Sequence, residues 1–281
     1  MGCYVVGDVH GSICGLNAML EKLQLEDGDQ IYFVGDLVGK GNSNWSVLNK
    51  IASIPSSRVA LGNHDLHFLK AHHLAYRQGA LSAVQKKGYE YLLAGSLAIH
   101  HAPSDTLVVH AGIWPGWSLK KVLTLASEIE AVLRDHSLIQ SYFDVFYGNE
   151  DHWDDALSGW GRVRAIVNIF TRMRMLDKNF HLDFKYAGKI CSEGEGKTEA
   201  MNEGRLVPWF NSRDMWPCRS IVFGHWAMLN GETGRQDCIN IDKGYVYGGS
   251  LQALSLDTGR RIEVRNPKGS DEQIQGGKIG G

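Results

Sequence analysis

Cys3-Tyr4-Val5-Val6-Gly7-Asp8-Val9-His10-Gly11 holds the pattern that decides the fold: four residues of β type stop at a glycine, and a carboxylate and an imidazole follow two positions apart. A β-type run followed at once by Gly or His, with a residue of ligand type at or just past that point, recurs in IYFV-GDLVGKG (31–41), RVAL-GNHD (58–65), TLVV-HAGIWP (106–115) and SIVF-GHWA (220–227). A strand holds the polar groups at its end rigidly, while the loop beyond it stays free to coordinate. Five such ends on one edge of a layered sheet would build a single site.

The segments between these runs supply the covering layers. Ile13, Leu16, Leu20 and Leu23 recur at helical spacing, so residues 12–25 read as a helix joining two parallel strands. Residues 45–54, 64–78, 118–134 and 138–146 read as further helices, and an aromatic and basic segment spans 163–175. The stretch from about 118 to 180 offers no strand-end carboxylate and reads as a helical insertion that covers the site and selects the substrate. Residues 185–205, rich in Gly, Glu and Lys, read as a mobile loop, and strands return at 238–241, 251–256 and 261–264. The expectation is one α/β (α+β) domain over 1–265 and a disordered tail over 266–281.

Composition excludes several classes. The formal charge of −2, with 29 basic and 31 acidic residues interspersed, lacks the basic footprint that duplex nucleic acid requires. No apolar run nears the ~20 residues of a membrane span, and the first residues lack the pattern of a secretory signal. The five cysteines are odd in number and scattered, which suggests free thiols rather than a disulfide framework, and a cytoplasmic protein.

Asp8 and His10, two apart in extended chain, point to one side. Asp36 has two oxygens and suits bridging two cations, Asn63 offers an amide oxygen, and His110 and His225 each offer a ring nitrogen. This mixed N/O set without thiolate favours Mn²⁺, Co²⁺, Fe or Zn²⁺. Two such ions ~3.5–4 Å apart polarise a phosphoryl oxygen and activate water, which points to hydrolysis of a phosphate ester or anhydride. His64, next to Asn63, faces away from the ligand direction and reads as a general acid, with Asp65 hydrogen-bonding its imidazole.

GDVHG, GDLVGKG, GNHD, VVHAGIWP and FGHWA, in this order, resemble the phosphoprotein-phosphatase branch of the calcineurin-like metallophosphoesterases. With FTRMRM, YGNEDHW, PWF and YGGSLQALSLD the chain is similar, from residue 1 to about 264, to the symmetrical diadenosine tetraphosphatases of that branch. The resemblance implies a β-sandwich flanked by helices and two divalent ions, Mn²⁺ first. One ion would lie at Asp8, His10 and Asp36, the other at Asp36, Asn63, His110 and His225, with His64 as proton donor and Asp65 as its partner. It implies central cleavage of diadenosine tetraphosphate to two ADP, with 5'-capped RNA ends as a second substrate class, and leaves monomer and homodimer open. Arg172, Arg174 and Lys40 are the implied phosphate contacts, although Lys40 stands where the family usually has arginine and so loses the bidentate fork. Asn42 in place of a common proline and Lys243 after Asp242 are further departures.

Blander accounts compete at several positions. Arg172 and Arg174 could form surface ion pairs. His67, His72, His73, His100, His101, His136, His152 and His181 read as surface or capping residues. Trp114, Trp117 and Trp226 lie beside proposed ligands, where stacking on adenine competes with ordinary packing. The rival enzyme is a serine/threonine protein phosphatase, whose second motif usually carries Asp and Arg where Gly39 and Lys40 stand; a non-catalytic phosphate binder is the rival from another class.

Overall fold

Alternation within each apolar run sends its side chains into two different cores, because successive residues of a strand face opposite sides. A computed structural model describes residues 2–190, 205–212 and 216–267. In it Val5, Tyr32 and Val34 join Ile99, Val108, Val222 and Leu254 in a small inner core, while Val6, Ile31, Phe33, Leu107, Val109, Ile221 and Phe223 face a second, larger one. The inner core is the filling of a β-sandwich; the larger one lies under the helices.

The first half of the chain runs β1 (Cys3–Val6), α1 (Ile13–Leu23), β2 (Gln30–Phe33), α2 (Asn44–Ile51), β3 (Ser57–Val59), α3 (Asn63–Arg77), α4 (Ala83–Leu93), β4 (Ala98–His101) and β5 (Thr106–Val109). Then come α5 (Leu119–Arg134), α6 (Ile139–Val145), α7 (Gly159–Arg172), β6 (Met175–Asp177), β7 (Leu182–Asp183) and β8 (Leu206–Pro208). The chain closes with β9 (Ser220–Phe223), β10 (Cys238–Asn240), β11 (Asp242–Lys243), β12 (Ser250–Ser255) and β13 (Arg261–Arg265). One sheet has the order β11-β12-β1-β2-β3 with β13 beside β12; the other has the order β10-β9-β5-β4, and β7-β6-β8 form a small third sheet.

Strand direction is what gathers the site. β1, β2 and β3 are mutually parallel, as are β5, β9 and β10, so each sheet delivers its glycine-led loops to one edge. Main-chain bonds tie the loops together: His10 N donates to Asp36 O at 2.8 Å, Gly11 N to Leu37 O at 2.8 Å and Gly224 N to His110 O at 2.9 Å.

Helix α1 ends where Gln24 turns left-handed (φ 48°) and its N–H closes on Leu20 O. α4 and β4 are absent from the sequence reading. Buried Tyr89 anchors α4, its hydroxyl 2.9 Å from His73 Nδ1, and β4 pairs antiparallel with β5 through a three-residue helical turn. α5, α6 and α7 fall within residues 118–180, and α7 starts at Gly159 and stops at Arg172, so the basic segment is helix and then strand. The expected loop over 185–205 lies mostly, and the tail over 266–281 almost wholly, outside the described residues. No helix among the described residues is long and apolar enough to cross a membrane.

Candidate functional site

His10, Asp36 and His225, each at a strand end, all take left-handed backbone, with φ of 48°, 47° and 64°. Such φ values are uncommon for residues other than glycine and persist where surrounding structure over-determines them, typically at functional sites. Here the surrounding structure leaves no spare room. A Cβ on Gly62 would lie 2.1 Å from Asp36 Oδ1, and one on Gly224 would lie 2.0 Å from Asp8 Oδ1, so only glycine lets these carboxylates seat against the main chain.

Asp36 is the hub. Its Oδ2 lies 3.7 Å from His10 Nε2 and its Oδ1 3.5 Å from His110 Nε2. Oδ1 also accepts from His64 N at 2.9 Å, at the amino end of α3, where the helix dipole favours negative charge. Ligand-type atoms of His10, Asp36 and His64 all lie within 4.8 Å of one another, and so do those of Asp36, His110 and His225. Asn63 Oδ1 is 3.2 Å from His110 Nε2. Asp8 is buried, and both its oxygens accept from His225 N, at 3.2 and 3.3 Å.

The imidazoles are oriented by their far nitrogens. His110 Nδ1 lies 2.8 Å from Val34 O and His10 Nδ1 3.3 Å from Val38 O, so each Nδ1 holds the proton and each Nε2 turns a lone pair toward Asp36. Burial is the main cause that holds His10 and His110 down to about 3, and His225 well below the ordinary range. His64 falls to about 4, first through burial and then through the Lys40 charge.

The carboxylates tell the complementary story. Burial, then the charges of Asp242 and Asp36, raise Asp8 far above the usual range; burial, then Asp65, do the same for Asp36. Neutral buried imidazoles, crowded carboxylates and a buried His225 Nε2 with no hydrogen-bond partner form a donor set that suits divalent cations. The residues present therefore fit two ions sharing Asp36.

Two expectations change. Asp65 does not meet the His64 imidazole: its Oδ1 accepts from Leu37 N at 3.0 Å and Val38 N at 3.3 Å, and its Oδ2 from Gly62 N at 3.0 Å. On a helix, neighbouring residues do not face each other, and position three of the first turn points back to the cap. His64 instead stands edge-on to His10, ring centroids 4.9 Å apart, close to the other ligand-type atoms. The tryptophans are also packed away: Trp117 and Trp226 are 1% exposed and Trp114 8%. Trp226 Nε1 donates to Gly188 O, and Trp117 meets Trp153 edge-on.

The proposed phosphate contacts separate. Arg174 lies beside His225: its Nη2 reaches His225 O at 3.4 Å, its buried Nε has no partner, and the charges of Asp242 and Asp36 act on it against the burial that lowers its proton affinity. Arg172 donates to Asn168 Oδ1 at 3.0 Å and sits over the rings of Phe184 and Tyr147, at 4.4 and 5.0 Å. Lys40 is exposed, its Nζ 5.6 Å from the Tyr247 ring centroid.

Asp242 and Tyr147 were missed. Asp242 is buried, accepts from Gly244 N at 3.0 Å and is pushed up to about 6, chiefly by burial. It follows an apolar run as the ligands do, but without the leading glycine. Tyr147 donates its hydroxyl to Asn63 O at 3.3 Å; its place in YGNEDHW was the available signal. Lys243 now has an account: it pairs with Glu263 at 2.8 Å, and Gln252 donates to the same oxygen at 2.7 Å, which makes it part of the β11-β12-β13 scaffold.

The calcineurin-like phosphoesterase family model matches residues 1–228. A Marinomonas protein named symmetrical bis(5'-nucleosyl)-tetraphosphatase is 36% identical over 94% of this chain and 97% of its own. A Legionella pneumophila protein of the same name is 37% identical over 93% and 96%. A crystal structure of a candidate diadenosine tetraphosphatase shares the fold, with TM-score 0.59 and 22% identity over 94% of this chain and 93% of that one.

Proposed function

The chain belongs to the calcineurin-like phosphoesterases, in the family of the symmetrical bis(5'-nucleosyl)-tetraphosphatases, and from that premise we propose that it hydrolyses diadenosine tetraphosphate at its centre to two ADP. The observation that carries the reading is the pair of ligand-type clusters sharing Asp36, His10-Asp36-His64 and Asp36-His110-His225, with Asp8 adjoining through His225 N and Asn63 through His110. Asp8, His10 and Asp36 would hold one ion and Asp36, Asn63, His110 and His225 the other. Two divalent ions there, Mn²⁺ in this reading, supply Lewis-acid polarisation and bring the pKa of a water near neutrality.

The chain's own residues do the rest. Arg174, whose Nε is unpartnered and buried, binds a bridge phosphate oxygen beside the clusters, while exposed Lys40 draws in the outer charges. Arg172, flanked by Phe184 and Tyr147, is ordered before substrate arrives and binds with less entropy loss. Tyr147 holds Asn63 through its main-chain carbonyl. His64 is assigned the proton that goes to the departing ADP oxygen, a role in which the bound polyphosphate's negative charge offsets the burial and the Lys40 charge that hold the free imidazole down to about 4. The same chemistry extends the substrate class to RNA ends capped with a nucleoside tetraphosphate. Four free cysteines among the described residues accord with a reducing, cytoplasmic setting.

The test is product analysis after incubation with diadenosine tetraphosphate, with Mn²⁺ and separately with chelator. ADP alone, and only with metal, is expected. ATP plus AMP would overturn central cleavage, and dephosphorylation of a phosphopeptide without dinucleotide turnover would move the chain to the protein phosphatases.

A further inference from the structure

We propose that Tyr247 is the surface on which a base of a nucleoside polyphosphate stacks, an inference that rests on the dinucleotide reading above. Stacking needs an exposed π-face, which Trp117 and Trp226, each 1% exposed, do not offer. Six large hydrophobic side chains among the described residues are exposed: Leu74, Val84, Leu138, Phe180, Met228 and Tyr247. Of these two aromatic rings, Phe180 leans toward Trp114 at 6.2 Å. Tyr247, 43% exposed, stands instead against the Lys40 ammonium. Lys40 Nζ is 5.6 Å from its ring centroid.

The turn that carries the ring is fixed. Gly244 and Gly248, with φ of 65° and 95°, bracket a tight turn in which Tyr247 N donates to Gly244 O at 2.9 Å and Gly248 N to Tyr245 O at 3.0 Å. Asn266 Nδ2 closes on Tyr245 O at 2.8 Å, and Asp242 accepts from Gly244 N, which fixes the turn to the carboxylate cluster. A polyphosphate drawn to Arg174 and Lys40 carries its nucleoside past this ring. Stacking then covers apolar surface that the free protein leaves in water.

Equilibrium binding to the Mn²⁺-loaded protein tests the assignment with two probes: diadenosine tetraphosphate with a methylene replacing its central bridging oxygen, and base-free methylenediphosphonate. Tyr247→Ala and Tyr247→Leu should weaken the dinucleotide about tenfold, within the range for one stacked base, and leave methylenediphosphonate unchanged. Tyr247→Phe and Tyr247→Trp should bind both probes as the parent does. An unchanged dinucleotide affinity in Tyr247→Ala overturns the proposal. So does a parallel loss of both probes, which would mean that the ring serves only to hold Lys40. Failure of the dinucleotide reading itself shows elsewhere, as an absence of ADP from the unsubstituted enzyme.

Discussion

Replacing Asp65 separates two accounts of the same carboxylate. If it holds main chain, as its bonds to Leu37 N, Val38 N and Gly62 N indicate, its removal is chiefly a stability lesion. Asp65→Asn can keep Oδ1 facing Leu37 and Val38 but sets an NH₂ against the Gly62 N–H, leaving both of these buried donors without an acceptor, at a cost of at least about 1–3 kcal/mol. Asp65→Ala orphans three donors around a fully buried position, a cost of at least about 3 kcal/mol. Relief of repulsion with Asp36 offsets part of either loss. At roughly 2–4 °C per kcal/mol for a chain of this size, Tm should fall by about 2–12 °C for Asn and by at least about 6 °C for Ala. Thermal unfolding followed by circular dichroism, in chelator so that metal binding does not mask the effect, gives the numbers. A Tm within about 1 °C of the parent for both variants, with an altered pH profile of turnover, would refute the main-chain role and return Asp65 to the imidazole.

Other consequences are open to direct measurement. Gly62→Ala places a methyl 2.1 Å from Asp36 Oδ1, and displacing that carboxylate by even ~1 Å should cut kcat about a hundredfold, read by ADP release. Mn²⁺ at a hundred times its Kd should stabilise the chelated protein by about 2.7 kcal/mol per site, and Asp36→Asn should abolish most of that rise in Tm. Lys40→Arg restores a planar fork at the mouth and should lower KM several-fold with kcat unchanged, if the charge meets phosphate. Lys243→Thr should cost about 0.5–1 kcal/mol and flatten the acid limb of the stability curve. The sign follows from Glu263, whose carboxyl Lys243 holds below its ordinary range. That stabilisation is present above the unfolded-state pKa and is lost as pH falls through the depressed folded value, so the variant has less to lose in acid.

Sequence alone determined the strands that end in ligand-type residues and the types of those residues. A β-run and the ligand-type side chain at its end are local in sequence, and that order is what singles out Asp8, His10, Asp36, Asn63, His110 and His225 as candidates. It could not see contacts between segments far apart in the chain. One oxygen of Asp65 caps Gly62 within GNHD, but the other turns to Leu37, 28 residues away, and Arg174 reaches a carbonyl 51 residues away; nothing in GNHD or FTRMRM encodes those two distant partners. Asp242 enters the cluster because β11 pairs with β12, which pairs with β1. Exposure too is tertiary: Trp114, Trp117 and Trp226 went into cores while Tyr247 stayed out, since burial depends on what packs over a ring and not on the ring's own sequence neighbours.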